Sequence, residues 1–476
     1  MFTRSFAVVA VLLVCAVGGP SGLIADAGPP DDAAITHVLN RLSYGPRPGE
    51  VERIRTLGIE RWIETQLSPS RIDNGPLDSR LQRLQTLTLD SQTIQRDYSA
   101  PAKAERRQKK LDSGDAGPQA RAMRAPASEA QRKNRQVTAD LEEAKLLRAV
   151  YSERQLEEVL VDFWFNHFNV FAGKGATRDY IGEYERDAIR PHVLGNFRDL
   201  LGATAKSPAM LFYLDNWLSS AEAGAKGGKR ANGINENYAR ELLELHTLGV
   251  DGGYTQHDIV SIARAFTGWT MQPRQGSGFM FVAARHDRDE KVVLGQTIKA
   301  GGGLDDGNRV LDIVADHPAT ARHISTKLAI RFVSDTPSPQ LIERIASRFT
   351  ATSGDLREVL KAVFSSPEFL SPDAYRAKVK TPLEFVASAM RATGADLRTA
   401  LPLSRTLREM GMPLYFCQPP TGYDDAASSW ISAGALVSRM NFAVELSNNS
   451  IRGVRVPLTE QQTSALGIGA PEFQRR

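Results

Sequence analysis

The stretch from Asn235 to Thr270, NENYARELLELHTLGVDGGYTQHDIVSIARAFTGWT, carries the pattern that decides the fold. A helix that starts at Asn235 and turns 100° per residue places a group of apolar side chains on one face. Those side chains are Tyr238, Ala239, Leu242, Leu243 and Leu245. Thr255, with Asp258 three residues later, then forms a capping box and predicts a second helix that ends near Gly268. The stretch is therefore typical of an α-helical domain.

Helical periodicity recurs along the rest of the chain and predicts a single large, mainly helical (all-α) domain over residues 28–476. Further helices are predicted at 33–40, 51–66, 152–171, 197–214 with a break at Pro208, 317–332, 341–349, 356–364, 382–393 and 433–448. The signal for β-strands is weak. Phe279 to Val282 and Lys291 to Ile298 are expected to pair as one small β-hairpin across the intervening turn.

The N-terminus, residues 1–27, has the composition of a secretory signal peptide. Arg4 supplies the positive charge, Phe6 to Val17 is a short apolar run, and Ala25 to Ala27 fits a small-residue cleavage site. The alternative is an N-terminal membrane anchor. We therefore expect an exported protein, either periplasmic or secreted. Cleavage would leave Cys417 as the only cysteine, which excludes an internal disulfide and a thiolate zinc site.

Residues 101–136 account for the net positive charge of the chain. They contain ten Lys or Arg and four Asp or Glu, whereas the whole chain has a formal net charge of only +4. The segment is rich in Ala, Gln, Pro and Gly, so it is predicted to be a solvated, disordered insertion. The alternative is an arm that binds an anionic polymer or a membrane surface. It contains no aromatic residue, so nucleic-acid binding is not indicated.

Several segments together resemble an uncharacterised bacterial family, number eighteen hundred among the domains of unknown function. The segments are FWFNHF at 163–168, LGNFRDLL at 194–201, YLDNWLS at 213–219, NENYARELLELHTLGV at 235–250, GYTQHDI at 253–259, ARAFTGWT at 263–270 and HPATARHISTKLAIRFV at 317–333. Residues 101–136 look least like the family. The resemblance implies an exported, largely helical protein. It also implies a partner with a sulfatase-like fold, because such proteins are often encoded beside family members. It implies no agreed activity.

Two histidines stand where a helical protein would normally place core leucines. His167 lies in the apolar face of the predicted helix at 152–171, and His246 lies in the apolar face of the helix that starts at Asn235. A buried imidazole must be hydrogen-bonded or it destabilises the fold. Either the two rings converge, with Asn169 or a carboxylate, to bind a metal or transfer a proton, or each ring ties down a backbone carbonyl.

Other polar residues are candidates for the rim of the same site. Glu241 is a candidate catalytic carboxylate, although Arg240 with its neighbouring glutamates also fits an intrahelical ion-pair network. Asn237 is a candidate substrate-binding residue. His286, Asp287 and Lys291 adjoin a predicted turn and are candidates for a substrate-facing loop. The alternative is turn chemistry, with Asp287 bonding its own backbone.

Two functional hypotheses follow from these residues. The first is a hydrolase-like enzyme with a histidine general base, acting on an envelope or extracellular substrate, with a divalent metal as a candidate cofactor. The second is a non-enzymatic binding or assembly partner of another exported protein. The sequence contains no G-x-S-x-G or H-E-x-x-H motif, so neither a serine-hydrolase elbow nor a zincin site supports the first hypothesis.

Overall fold

The computed structural model describes residues 31–112, 127–221, 233–271, 278–457 and 467–476. Within these ranges the protein is mostly helical, as predicted. A single continuous apolar core connects helices from both ends of the described chain. The predicted signal peptide, residues 1–27, lies outside the described residues. No helix in the described ranges is long and apolar enough to cross a membrane.

The N-terminal half is organised around one long central helix. Its helices are α1 (Asp32–Leu42), α2 (Glu50–Leu57), α3 (Ile59–Gln66), α4 (Gly75–Leu81), α5 (Ser91–Thr93), α6 (Ala100–Asp112), α7 (Glu129–Tyr151) and α8 (Gln155–His167). The long helix is α7, which contacts α4, α6 and α8. A π-helical turn at Ile94–Ser99 connects α5 to α6.

The described parts of residues 101–136, at 101–112 and 127–136, differ from the prediction of a disordered insertion. Both parts are helical, in α6 and in the first two turns of α7. Ala102 is buried, and the buried Asn134 donates a hydrogen bond to Ser99 Oγ at 2.9 Å. The physical reason is that Ala, Lys, Arg, Gln and Glu are strong helix formers, so few apolar contacts are needed to hold the two helices together. Residues 113–126 lie outside the described ranges.

The middle of the chain contains shorter helices that end in polar turns. They are α9 (Thr177–Glu183), α10 (Phe197–Lys206), α11 (Pro208–Tyr213), α12 (Asn237–Glu241), α13 (Gln256–Ala265), α14 (Leu304–Ala315) and α15 (Pro318–Phe332). The predicted break at Pro208 is confirmed, and so is the capping box of Thr255 and Asp258. α9 and α12 each continue as a π-helical turn, at Tyr184–Ile189 and Leu242–His246.

The β-structure consists of small antiparallel pairs, and the predicted strand pairing is wrong. β1 (Trp269–Met271) pairs with β2 (Phe279–Phe281), while β3 (Lys291–Val293) pairs with β4 (Gln296–Ile298). Leu294 and Gly295 both have positive φ, 48° and 77°, which closes β3 and β4 on each other through a two-residue turn. The third pair joins β5 (Asp396–Leu397) to β6 (Val454–Arg455).

The C-terminal part places one helix in the core and one on the surface. Its helices are α16 (Pro339–Ala351), α17 (Leu356–Phe364), α18 (Pro382–Ala392), α19 (Leu401–Glu409) and α20 (Ala433–Ser447). Nearly all of α18 is buried, and it contacts α7 and α19. α20 buries only Arg439, Phe442, Ala443 and Leu446. The core helix α18 therefore has α20 on its outer side, with Phe442 and Phe385 rings 5.8 Å apart.

Candidate functional site

The structure brings His167 and His246 together, which is one of the two arrangements that the sequence leaves open. Their ring centroids are 6.2 Å apart, and the His167 Nε2–H donates to the backbone oxygen of His246 at 3.1 Å. A third histidine, His323 of α15, joins them with its ring 6.2 Å from that of His167. Its Nε2–H donates to Leu245 O at 3.2 Å. The sequence reasoning missed His323, because nothing in the local pattern of α15 points it toward the other two rings.

The two predicted histidines of the cluster are sealed from solvent, whereas His323 is partly exposed. His167 is 5% exposed and His246 is 1% exposed. Burial, with Lys327 nearby, lowers the pKa of His167 well below its usual value, and burial beside His323 lowers the pKa of His246 to about 3. The rings are therefore neutral, and two of them tie backbone carbonyls near the end of a π-helical turn. This geometry matches the structural alternative. The described residues contain no group of three or more His, Cys, Asp or Glu that could hold a metal ion.

Glu241 is half-buried on the side of α12 that faces away from the histidines' core. Burial beside Glu244 raises the pKa of its carboxyl group. Arg240 lies 3.5 Å from Glu236 and 3.7 Å from Glu244, which confirms the intrahelical ion-pair network. Asn237 is exposed, and its side chain donates only a long hydrogen bond, 3.4 Å, to Leu214 O. These residues form a polar helix surface and do not close a site around the histidines.

Asn169 holds a distant loop against the end of α8. Its Nδ2 donates to Cys417 O at 3.1 Å and to Pro419 O at 2.7 Å. Asn166, one turn earlier, exchanges two backbone hydrogen bonds with Tyr423, at 2.7 and 2.8 Å. The two asparagines thus fasten the segment 417–423 over a narrow cleft of about 320 Å³. Both amides are engaged by backbone groups, so their role in the structure is to position that segment.

His286, Asp287 and Lys291 also come together, but inside the protein. The buried carboxylate of Asp306 accepts hydrogen bonds from His286 Nε2 at 3.1 Å and from Lys291 Nζ at 2.7 Å. Asp287 pairs with Arg264 and accepts from the Asp289 backbone N–H, which confirms the turn alternative. His286 and Lys291 tie the loop before β3 to α14, and Asp287 ties it to α13. The Lys291 side chain is fully buried, so it does not face a substrate in this structure.

A different pair of polar side chains lies at the floor of an open cleft. The cleft has a volume of about 630 Å³, and its walls include Asn40, Pro46, Arg376, Phe473 and Arg475. Lys380, just before α18, and Ser388, within α18, line its floor. The Lys380 Nζ donates to the Ser388 Oγ at 2.8 Å. Although both residues are buried, they border a space that solvent can enter.

Lys380 lacks the partner that a buried lysine usually requires. It is 3% exposed, and no carboxylate among the described residues lies within ion-pair distance of its Nζ. The neighbouring carboxylate of Glu384 is engaged by Arg331 at 2.7 Å and by Arg476 at 3.0 Å. The Nζ instead stands 4.0 Å over the ring of Phe473. Burial therefore lowers the pKa of Lys380 to about 7. At neutral pH a large share of these side chains carries a free amine.

Gly45 keeps the space beside the Ser388 hydroxyl open. Its φ is +91°, and a Cβ at this position would lie 2.7 Å from Ser388 Oγ and 3.3 Å from Asn40 Oδ1. Any larger residue would therefore collide with the hydroxyl. The Asn40 side chain makes no hydrogen bond to another described residue. Ser388, Lys380 and the free amide of Asn40 thus share one corner of the cleft.

The model of the family described as "Protein of unknown function (DUF1800)" matches residues 37–472. The chain belongs to this family. No curated protein matches the chain, and no solved structure matches it. The DUF1800 match covers both the histidine cluster and the residues Asn40, Lys380 and Ser388. It confirms the resemblance and assigns no activity, so the chemistry of this DUF1800 chain depends on its geometry.

The sequence of this DUF1800 protein contains only a weak signal for the Lys380–Ser388 pair. Lys380 directly precedes Thr381, whose capping box with Glu384 starts α18. Ser388 lies in a helix whose other residues from 385 to 390 are apolar. A lysine at a helix start and a serine on a buried face are each common, and the hydrogen bond between them depends on the three-dimensional course of the chain before α18.

Proposed function

We propose that this protein is an exported hydrolase that cleaves ester or amide bonds, with Ser388 as the nucleophile and Lys380 as the general base. The observation that carries the proposal is the 2.8 Å contact of Lys380 Nζ with Ser388 Oγ at the floor of an open cleft. A lysine without a carboxylate partner is suited to this work, because burial favours its neutral form. The lysine replaces the histidine that the sequence predicts as the base.

The reaction follows the general scheme of serine–lysine acyl transfer. Neutral Lys380 accepts the hydroxyl proton as Ser388 Oγ forms a bond to the substrate carbonyl carbon. The tetrahedral intermediate collapses, the bond to the leaving group breaks, and the ammonium of Lys380 returns the proton to the leaving alcohol or amine. Water then attacks the acyl ester, giving its proton to Lys380. The acid product leaves, and Ser388 Oγ recovers that proton.

Two features of the cleft support this scheme. Asn40 lines the corner that Gly45 keeps open beside Ser388, with its Oδ1 toward Gly45. Rotation of this amide about its terminal bond would turn the Nδ2–H group, the candidate donor to the developing oxyanion, toward Ser388. Arg376 and Arg475 stand at the rim of the cleft, with Glu472 as the acidic residue there. The rim therefore favours substrates that carry a negative charge near the scissile bond.

Covalent labelling tests the proposal directly. Purified mature protein is treated with a fluorophosphonate or with a β-lactone, and the modified peptide is identified by mass spectrometry. We expect Ser388 to be modified by at least one reagent. The rate should rise between about pH 6 and about pH 9 as Lys380 loses its proton. Lys380 faces Glu384, Arg376, Arg439 and Arg476. The pKa of Glu384 is lowered to about 2, and burial lowers the pKa values of Arg439 and Arg476 to about 10, so these three groups are mainly charged through this range.

Three variants make the labelling result specific. Ser388→Ala should abolish the label, and Lys380→Met should slow it by roughly 100-fold or more, since general-base catalysis contributes about 10²–10⁴. Ser404→Ala removes another buried serine hydroxyl, on α19, and should label normally. Absence of any label on Ser388 across this range, in protein with normal circular dichroism, would contradict the proposal. So would a label that Lys380→Met leaves unchanged.

The proposed location of the activity rests on residues 1–27. A charged start, an apolar run and a small-residue cleavage site are the parts of a secretory signal. Fusion of residues 1–35 to a reporter that is active only after export tests this, with Arg4→Glu as the control that weakens the signal. N-terminal sequencing of the exported protein should begin close to Gly28. An intact N-terminus on membrane-bound protein would favour the anchor alternative.

A further inference from the structure

The outer face of α20 is the most apolar exposed surface among the described residues. Large hydrophobic side chains with substantial exposure are concentrated at Ile431, Leu436, Val437, Met440 and Val444. Each of these is 42–59% exposed, whereas the other exposed apolar residues are scattered singly over the described chain. Single exposed apolar residues are normal on a protein surface, but a contiguous group marks an interaction surface.

The spacing of these residues specifies what kind of element covers them. Ala433, Val437, Met440, Val444 and Ser447 follow one another at intervals of four, three, four and three residues. This is the heptad pattern of a seam between two helices. Met440 is at its centre. A face of this shape fits a second helix laid alongside α20.

The inner face of α20 holds the helix firmly, so the outer seam is presented in a fixed position. Arg439 is buried and donates from Nη2 to Lys380 O at 2.6 Å. Its guanidinium stands 5.0 Å from the ring of Phe385 on α18. The seam therefore lies on the opposite side of α20 from the cleft that Lys380 lines, and a partner seated on it leaves that cleft open.

The absence of exposed charge on this seam indicates which partner it accepts. From Ile431 to Val444 the only ionisable residue is Arg439, and it is buried. An uncharged seam offers no electrostatic complementarity to a dissimilar partner, but it is self-complementary across a twofold axis. A lipid surface fits less well, because interfacial helices carry exposed Lys or Arg on their polar face. We propose that α20 pairs with α20 of a second copy of this chain to form a symmetric dimer.

The oligomeric state of the full mature chain tests this interface. In sedimentation velocity, we expect the wild-type protein to shift from monomer to dimer as its concentration rises. The double variant Met440→Glu/Val444→Glu places like charges on both sides of the seam and should weaken dimerisation by at least about 100-fold. Val250→Glu makes the same change at a lone apolar residue that is 71% exposed, and it should dimerise like wild type.

A crosslink locates the contact. Met440 is the central position of the seam, so it meets its own copy whether the helices run parallel or antiparallel. Met440→Cys should therefore form a disulfide-linked dimer on oxidation, while Val250→Cys should not. A wild-type protein that stays monomeric at every concentration overturns the proposal, and so does a dimer that Met440→Glu/Val444→Glu leaves intact. Monomeric protein that floats with anionic vesicles, or that binds a co-exported protein through α20, would assign the seam to that other occupant.

Discussion

Lys291 and Lys380 are both buried lysines, and their surroundings differ in one respect. Lys291 donates to the Asp306 carboxylate at 2.7 Å and to the carbonyl oxygens of Asp287 and Asp289 at 2.7 and 2.8 Å, so all three of its donors are used. Lys380 has one hydroxyl, Ser388 Oγ, and the face of an aromatic ring. An ammonium group whose three N–H donors are all hydrogen-bonded has a structural role, whereas one with unused donors is free to give up its proton.

The contrast separates polar residues that hold this fold from polar residues that are available for chemistry. Burial alone does not distinguish them, since Lys291 is 1% exposed and Lys380 is 3% exposed. The number of satisfied donors and the presence of open space beside the group do distinguish them. His167 and His323 belong with Lys291, because each ring donates to a backbone carbonyl. His246 is sealed from open space, although its Nε2 has no partner among the described residues.

Removal of Lys291 should give the largest loss of stability. Lys291→Met leaves the carboxylate of Asp306 buried with only His286 to pair it, and breaking a buried ion pair costs about 3–5 kcal/mol. The free energy of unfolding is measured by urea titration, with Lys299→Met on the exposed side of the same hairpin as the control. A loss of less than about 1 kcal/mol would show that Lys291 is not the structural lysine of the comparison.

Lys380 should show the opposite behaviour, with a dependence on pH. Its folded pKa is about 7 and the ordinary lysine value is 10.5, so between these values the unfolded chain binds a proton that the folded protein does not. Stability from this group is therefore complete above the unfolded pKa and is lost as pH falls toward 7. The difference in unfolding free energy, wild type minus Lys380→Met, should rise by about 3 kcal/mol from pH 8 to pH 10.

Other groups that titrate in this range are common to both proteins and cancel in the difference. Lys299→Met again serves as the control for the loss of a lysine side chain. A flat difference for Lys380→Met would mean that Lys380 keeps its proton in the folded state. Lys380 would then resemble Lys291, and the general base of the proposed reaction would be lost.

The features that the sequence predicted correctly are those that a local pattern determines. Amphipathic periodicity, the break at Pro208 and the capping box at Thr255 each depend on a few neighbouring residues. The apolar faces of two helices indicated that His167 and His246 point into the core, but they left open whether the two rings meet, as they do in the structure. The strand pairing was wrong because the turn after β3 places Leu294 in a left-handed conformation, and the Asp258 carboxylate holds its backbone N–H from another helix.

The Lys380–Ser388 cleft could not be predicted from the sequence, because it also depends on contacts between distant parts of the chain. Its corner joins Asn40 of α1 and Gly45 of the loop after α1 to Phe473 near the C-terminus. Lys380 becomes an unpaired lysine only because Arg331 and Arg476 engage Glu384, the carboxylate nearest to it in sequence. Such competition for one carboxylate depends on tertiary contacts and leaves no periodic trace in the sequence.

Substitutions in the histidine cluster should change the stability of the protein and not its reactivity. His167→Leu leaves the carbonyl of His246 without its donor and should cost about 1–3 kcal/mol of unfolding free energy. His246→Leu removes an Nε2 that is buried without a partner in the described structure, so it should change stability by less than about 1 kcal/mol. Both variants should keep normal covalent labelling of Ser388. Loss of labelling without loss of stability would restore the histidine-centred enzyme that the sequence predicts.

The variant with the smallest expected change in stability tests whether the space beside Ser388 Oγ is needed for its reactivity. Gly45→Ala introduces a Cβ at a φ of +91° and only 2.7 Å from Ser388 Oγ. To avoid this contact the hydroxyl must rotate, and the rotation breaks its hydrogen bond to Lys380. The left-handed conformation should cost about 1 kcal/mol, while labelling of Ser388 should fall by at least about tenfold. Gly49→Ala is the matched control: its φ is +77°, but nothing lies within 4 Å of the added methyl group. If both variants lose similar stability and only Gly45→Ala loses labelling, the space beside Ser388 is needed for its reactivity. Equal labelling in the two variants would mean that the reagent reaches Ser388 from another direction and that Gly45 has only a conformational role.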